Sequence, residues 1–205
     1  MKIKICGLNP IRDVRLCIDL KVSLLGFVFY KKSPRNVLLS DIKMLSNYDK
    51  KSSSFVAVTV NPSNEFIKSN LVGNFDFIQL HGSETRERVA EIKNMGLKTI
   101  KAIKVIEEKD VDSYKDYEGV ADLILFDSNS MEKSKSIPRD LLSKIPKGDK
   151  FCLAGAIDSK NMPEYSQLGF SFLDLSSGLE RENLKGYKDH LKIKNFINKV
   201  NELKN

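Results

Sequence analysis

The chain has 205 residues, of which 41% are hydrophobic and 30% are charged, enough to build one hydrophobic core. Its mean hydropathy is -0.30, and no apolar run approaches the roughly 20 residues that span a bilayer. The first residues lack the apolar stretch of a signal peptide, and Cys6, Cys17 and Cys152 form no CxxC pair. These features exclude a disulfide scaffold and a zinc ribbon, and we expect a cytoplasmic globular protein without membrane contact.

The charge balance is basic but modest, with 34 Lys and Arg against 27 Asp and Glu, a formal net charge of +7. Much of the excess lies near the C-terminal end, where we expect a solvated helix face carrying Lys185, Lys188, Lys192, Lys194, Lys199 and Lys204. No sequence pattern of a nucleic-acid-binding module is present, so we expect no nucleic-acid partner. A basic protein of this kind more typically handles a small polyanion.

Short apolar segments rich in β-branched and aromatic residues recur along the whole chain, as is typical of strands buried on both faces. The predicted strands are Lys2–Cys6, Leu24–Phe29, Phe55–Asn61, Phe75–His81, Lys98–Val105, Ala121–Asp127, Lys150–Ala154 and Phe172–Ser176.

Helical patterns separate these strands, and capping residues mark several of their starts. The predicted helix positions are a start at Asn9–Pro10, a cap at Ser40, a start at Pro62–Ser63, and the segments Ser83–Met95, Glu107–Tyr117, Pro138–Ile145, Ser159–Gln167 and Lys185–Leu203. Eight strands alternating with eight helices predict a (β/α)₈ TIM barrel, an α/β fold in which residues 1–205 form a single domain. An open doubly wound sheet is the alternative, but no GxGxxG follows the first strand.

A barrel places its active site at the carboxyl ends of its strands. The polar or small residues at those ends are Cys6, Asn61, His81, Asp127, Gly155, Ser176 and Ser177, and the loop after the second strand adds Lys31, Lys32 and Arg35. We expect these side chains to surround one mouth.

Each candidate for chemistry also has a structural interpretation. Cys6 is either a base or nucleophile, or a small buried side chain. Asp127 is either a general acid or a loop cap, and His81 either moves protons or bonds the backbone. Cys17 and Cys152 are predicted to lie in the core, and His190 to be solvated.

Two late loops resemble anion-binding loops, because small residues let backbone N–H groups approach a phosphate. They are Leu153–Ala156 after the seventh strand and Ser176–Gly178 after the eighth, the pair of loops that often binds phosphate in barrels. The two distant histidines and the absence of HExxH give no metal ligand set, and no GxSxG motif supports a serine triad.

Seven segments occur in the order seen in the phosphoribosylanthranilate isomerase family, from residue 2 to about residue 197, and the chain resembles that family. They are Lys4–Gly7, Gly26–Tyr30, Ser33–Arg35, Val58–Asn61, Gln79–Gly82, Leu153–Gly155 and Asp174–Glu180, and Gly186–Asp189 is similar to the family's GxKD before the last helix.

The resemblance implies a barrel that catalyses an Amadori rearrangement in tryptophan biosynthesis, with no cofactor or metal, as a monomer or homodimer. It implies that Asp127 is the general acid and Cys6 the general base, and that Arg35 binds the anthranilate carboxylate by a bidentate pair. It also implies substrate binding by His81, Gly155, Ala156, Asp174, Ser176, Ser177 and Gly178, with the phosphate on the two late loops.

Two departures from the family pattern affect function. The family's Gly-rich loop after the sixth strand is replaced by the glycine-free segment Ser128–Pro138, so we expect an altered lid. Ala156 replaces a glycine, and alanine disfavours positive φ, so we expect weaker phosphate binding. Two alternatives therefore stay open: an isomerase of another aminosugar phosphate, and a barrel that binds a phosphorylated ligand without turnover.

Overall fold

A computed structural model describes residues 2–128 and 136–203. Within them, eight parallel strands pair in sequence order, and the last pairs with the first to close a barrel. The strands are β1 (Lys2–Cys6), β2 (Leu24–Phe29), β3 (Ser54–Thr59), β4 (Phe77–Leu80), β5 (Lys98–Val105), β6 (Leu123–Ser128), β7 (Gly148–Ala154) and β8 (Phe170–Leu175). The predicted fold class is confirmed, and each strand ends within two residues of its predicted limits.

The helices are short and surround the barrel. They are α1 (Val14–Asp19), α2 (Ile42–Leu45), α3 (Asn64–Phe66), α4 (Arg86–Lys93), α5 (Glu108–Asp112), α6 (Arg139–Lys144), α7 (Met162–Ser166) and α8 (His190–Glu202). Helix α4 was predicted from Ser83, but it begins three residues later because the Thr85 side chain accepts the N–H of Arg88 and caps it.

Side chains alternate strictly between the barrel interior and the layer under the helices. An interior cluster includes Cys6, Val58, Leu125, Cys152 and Phe172. The residues between them along each strand pack against the helices in a second, larger cluster. A polar residue two positions beyond an interior residue therefore reaches the mouth, and this parity positions the candidate site.

The predicted start of the last helix, at Lys185, is wrong. Residues Leu184–Lys188 form a strand, β10, that pairs antiparallel with β9 (Glu180–Arg181), and α8 begins only after Asp189. The Asp189 carboxylate accepts the N–H groups of Leu191 and Lys192 and so fixes the helix start. Gly186 has φ +83°, which a helix does not allow.

Lys188 is a second correction, because it does not lie on a solvated helix face. It is 3% exposed, and its Nζ lies 3.3 Å from Oε1 of Glu180. The hairpin of β9 and β10 turns this lysine inward. Burying its charge would be costly without a partner, and the Glu180 carboxylate provides one.

Two observations bear on the predicted partners. In the part of the chain that the structure describes, no helix has both the length and the apolar character needed to cross a membrane. Within residues 2–128 and 136–203, no three His, Cys, Asp or Glu side chains come together as a metal-binding group.

Candidate active site

Four titratable side chains share the inward parity at the carboxyl end of the barrel. Cys6 ends β1, His81 follows β4, Asp127 lies near the end of β6, and Asp174 lies near the end of β8. The interior residues two positions before Cys6, His81 and Asp127 are Lys4, Gln79 and Leu125. Cys6, His81 and Asp127 therefore face one mouth, as the sequence predicts, and Asp174 lies just below them, in register with Lys4.

The thiol side of the mouth, made of Lys4, Cys6 and Asp174, is buried. Nζ of Lys4 donates to Oδ2 of Asp174 at 2.6 Å, and the Lys4 side chain is 0% exposed. Cys6 is 9% exposed. Burial raises the pKa of the Cys6 thiol, although the positive charges of Lys4 and Lys188 act in the opposite direction.

The carboxylate side of the mouth, made of His81 and Asp127, is open to solvent. Nε2 of His81 lies 3.4 Å from Oδ2 of Asp127, and the two side chains are 39% and 27% exposed. On the other edge of the imidazole ring, Nδ1 lies 3.1 Å from the amide nitrogen of Gln79. If that amide donates to Nδ1, the ring proton is on Nε2 and faces Asp127.

Arg35 is held by a carboxylate of the protein itself. Its Nε and Nη2 donate to Oε1 and Oε2 of Glu180 at 2.5 and 3.0 Å, a bidentate pair. Lys188 joins the same cluster, because its Nζ donates to the carbonyl of Ser176 at 3.0 Å. Burial would raise the pKa of Glu180, but Arg35 and Lys188 outweigh it and lower that pKa. The fork leaves Nη1 of Arg35 outside the pair.

The two late loops meet at the mouth. Gly155 has φ +101°, and a short 3₁₀ turn over Ser177–Leu179 begins the loop after β8. A Cβ atom on Gly178 would lie 2.6 Å from the carbonyl oxygen of Ile157, so the loops approach more closely than another residue allows. The first N–H groups of such a turn have no partner within it and can face an anion.

Ala156 adopts φ +47°, the left-handed conformation that its side chain disfavours. The loop thus keeps this backbone conformation without a glycine, at a cost of about 1 kcal/mol. The sequence predicts that Ala156 disfavours a positive φ, but in the structure Ala156 adopts one. The altered lid is a different case: residues 129–135 of the segment Ser128–Pro138 lie outside the described residues.

Of the remaining candidates, Lys31 and Lys32 lie exposed in the loop after β2. Asn61 accepts the N–H of Ser83 on its Oδ1 at 3.0 Å and so joins the loops after β3 and β4. Cys17 and Cys152 are buried in the core, as predicted. His190 is exposed at the start of α8, as predicted, and its Nε2 lies 3.0 Å from Oδ1 of Asp13.

The chain matches a known protein family over most of its length. The family model described as N-(5'-phosphoribosyl)anthranilate (PRA) isomerase matches residues 3–199. The chain belongs to this isomerase family. The N-(5'-phosphoribosyl)anthranilate isomerase of Caulobacter vibrioides is 35% identical in an alignment 214 positions long, gaps included, which covers 98% of this chain and 96% of that protein.

Solved structures of the family have the same fold as this isomerase. The phosphoribosyl anthranilate isomerase of Thermotoga maritima superposes with a TM-score of 0.85 at 26% identity, covering 98% of this chain and 99% of that one. A second structure, also 26% identical, has a TM-score of 0.81 over 98% and 99% of the two chains. That protein was solved in complex with reduced 1-(o-carboxyphenylamino)-1-deoxyribulose 5-phosphate.

Sequence reasoning did not single out Lys4, Glu180 or the inward position of Lys188 in this isomerase. A signal for Lys4 was present, because it lies two residues before Cys6 in a strand and so shares its face. The pairing of Glu180 with Arg35 joins residues 145 positions apart, and no local pattern indicates it.

Proposed function

We propose that this isomerase converts N-(5'-phosphoribosyl)anthranilate into 1-(2-carboxyphenylamino)-1-deoxyribulose 5-phosphate in tryptophan biosynthesis, with Cys6 as general base and Asp127 as general acid. The observation that carries the proposal is the inward position of these two groups at the ends of β1 and β6 in a barrel of this family. A thiol and a carboxyl on well-separated strands can act on opposite faces of one sugar.

Asp127 performs the first step. A protonated Asp127 gives its proton to the ribose ring oxygen, the C1′–O bond breaks, and the anthranilate nitrogen, which keeps its own hydrogen, forms a protonated imine with C1′. Its partial exposure suits this role, because solvent and the adjacent His81 can return a proton after each turnover.

Cys6 performs the second step as its thiolate. It removes the C2′ proton, and the electron pair shifts to give an enolamine with a C1′=C2′ double bond. The enolamine then takes a proton at C1′ and loses one from the C2′ hydroxyl, which gives the ketone. The product has the composition of the substrate, so no oxidant or reductant is needed.

The substrate has two anionic ends, and the mouth offers a site for each. Arg35 binds the anthranilate carboxylate, either through the Nη1 group that Glu180 leaves outside its fork or by exchanging partners. Gly155, Ala156, Ser176, Ser177 and Gly178 bind the phosphate with their backbone N–H groups, and His81 and Asp174 face the sugar between the two ends.

The test compares Cys6→Ala and Asp127→Asn with wild type, by following the loss of substrate fluorescence after the substrate is generated in situ. Removing a general acid or base is expected to lower kcat by about 10²–10⁴-fold. Cys17→Ala and Asp149→Asn are the matched controls, because they make the same chemical changes at a buried thiol and an exposed carboxyl away from the mouth. Wild-type turnover in either mouth variant would refute its assigned role.

A further inference from the structure

We propose that Lys4 is a positioning residue for the reaction, whose ammonium group stabilises and orients the Cys6 thiolate from inside the barrel. The inference rests on the proposed role of Cys6 as general base. It assigns a use to a buried cation that the mechanism above does not employ.

The position of Lys4 in its strand is the first reason. Lys4 and Cys6 lie two residues apart in β1, so both side chains point into the barrel, with Lys4 one layer below the mouth. The Lys4 side chain is 0% exposed, and an uncompensated charge in such a place costs several kcal/mol. Asp174 compensates it from β8, at 2.6 Å.

Gly26 supplies the second reason. It is the β2 residue in register with Cys6, and a Cβ atom there would lie 3.2 Å from both Sγ of Cys6 and Nζ of Lys4. The sulfur and the ammonium group therefore border the same small space, which the glycine leaves free. An ammonium group has three hydrogens, so Lys4 can serve the thiolate while it remains paired with Asp174.

Lys4 keeps its positive charge although it is buried. Burial would lower the pKa of the Lys4 ammonium, but the adjacent Asp174 carboxylate outweighs that effect and raises it. A buried pair of this kind gives little stability compared with apolar residues of similar size, so its presence beside the thiol calls for another explanation. The explanation we give is that the Cys6 thiolate needs a nearby cation in order to form in a buried site, and Lys4 is that cation.

Charged groups reach Cys6 from several elements. Lys4 comes from its own strand, Asp174 from β8 and Lys188 from β10, while the Arg35 side chain contacts Gly7, and Asp127 and His81 lie elsewhere around the mouth. Lys4 lowers the pKa of the thiol and Asp174 raises it. Removing one or the other should therefore move the titration of Cys6 in opposite directions.

The experiment measures the alkylation rate of Cys6 by iodoacetamide against pH in the full-length protein, with the modified residue located by mass spectrometry. In Lys4→Met the midpoint of alkylation is expected to rise by about one pH unit or more, which reduces the thiolate fraction at neutral pH about tenfold. We expect kcat to fall by a similar factor and KM to change much less.

Asp174→Asn is the opposing variant, and its alkylation midpoint is expected to fall. The double variant Lys4→Met/Asp174→Asn removes both charges of the buried pair, and it differs from Asp174→Asn only at Lys4. Its midpoint should again be higher than that of the single variant, which tests Lys4 even if Lys4→Met alone folds poorly.

An unchanged midpoint in both comparisons at Lys4 would overturn the inference. Alkylation is measured without substrate, so it is independent of the assignment of Cys6 as the base. If Cys6→Ala retains turnover while the midpoint still depends on Lys4, the proposed role of Cys6 as general base fails and the charge coupling stands.

Discussion

The two sides of the mouth differ in how they hold their charges. On the thiol side, Lys4, Cys6 and Asp174 are buried and Lys4 is paired with Asp174, whereas His81 and Asp127 on the carboxylate side remain partly exposed. A base that must lose its proton in a dry place needs fixed charges near it. An acid that must be reprotonated in every cycle benefits from water. We therefore expect stability and activity to be linked on the thiol side and separable on the carboxylate side.

The largest expected effect compares the same substitution on the two sides. Asp174→Ala leaves the buried Lys4 without its partner, so we expect the free energy of unfolding to fall by about 3–5 kcal/mol. Asp127→Ala removes a partly exposed carboxylate and should change the unfolding free energy by less than about 1 kcal/mol. Urea unfolding of both variants measures this difference, and equal losses would contradict the comparison.

A smaller loss of stability is expected when the buried ion pair of Glu84 and Lys101, next to the carboxylate side, is broken. The Glu84 side chain is 1% exposed, and its carboxylate accepts from Lys101 Nζ at 2.8 Å and from the N–H of Gly82 at 3.0 Å. These bonds hold the loop that follows His81. Glu84→Gln should lower the unfolding free energy by about 1.5–3 kcal/mol, as for other hydrogen bonds to charged groups.

The pH dependence of this variant has a definite sign. Burial alone would raise the pKa of Glu84, but Lys101 and the backbone N–H groups outweigh it and lower that pKa in the folded protein. The stability that this carboxylate contributes is therefore present above its unfolded pKa and is lost as pH falls through its folded pKa. Urea unfolding at decreasing pH should show wild type and Glu84→Gln converging, and a constant difference would argue against this cause.

His81→Asn tests the exposed side directly. If the ring only supports Asp127, kcat should fall by about 3–10-fold, the value of one ordinary hydrogen bond, and less than in Asp127→Asn. The unfolding free energy should change by less than about 0.5 kcal/mol, as at other exposed sites. Parallel kinetics and urea unfolding measure both quantities, and a loss of kcat as large as in Asp127→Asn would make His81 an equal partner in proton transfer.

The smallest expected effect concerns the backbone of the phosphate loop. Ala156→Gly removes the penalty of φ +47° but adds the entropy of glycine to the unfolded chain, so the net gain in stability should be under about 1 kcal/mol. Thermal unfolding measures that gain, and calorimetry with a product analogue measures phosphate binding. Unchanged affinity would show that the alanine already holds the loop in its binding conformation.

The sequence predicted the barrel well because its strands are buried on both faces and therefore appear as short apolar runs. Alternation along those strands was also enough to bring Cys6, His81 and Asp127 to one end. The prediction failed at Lys185–Lys188, where a basic segment next to an amphipathic helix matched a solvated helix face. What decides that segment is the pairing of Lys188 with Glu180, a contact that helical periodicity does not report.

The buried charges of the site were the other limit of sequence reasoning. A lysine in a strand is ordinarily expected at the surface, since burial of its charge is costly. Lys4 is buried because β8 closes the barrel against β1 and places Asp174 in register with it. That contact spans 170 positions of the chain and depends on closure of the whole sheet, so it cannot be predicted from any local window.

Gly26 has an evolutionary consequence. Glycine weakens an ordinary strand, so a larger residue at position 26 would be expected to make β2 more stable. Its hydrogen instead faces a sulfur and an ammonium group, and even one extra methyl would push them apart. In a saturation library selected for growth without supplied tryptophan, codon 26 should therefore retain almost nothing but glycine, although its own side chain has no chemistry.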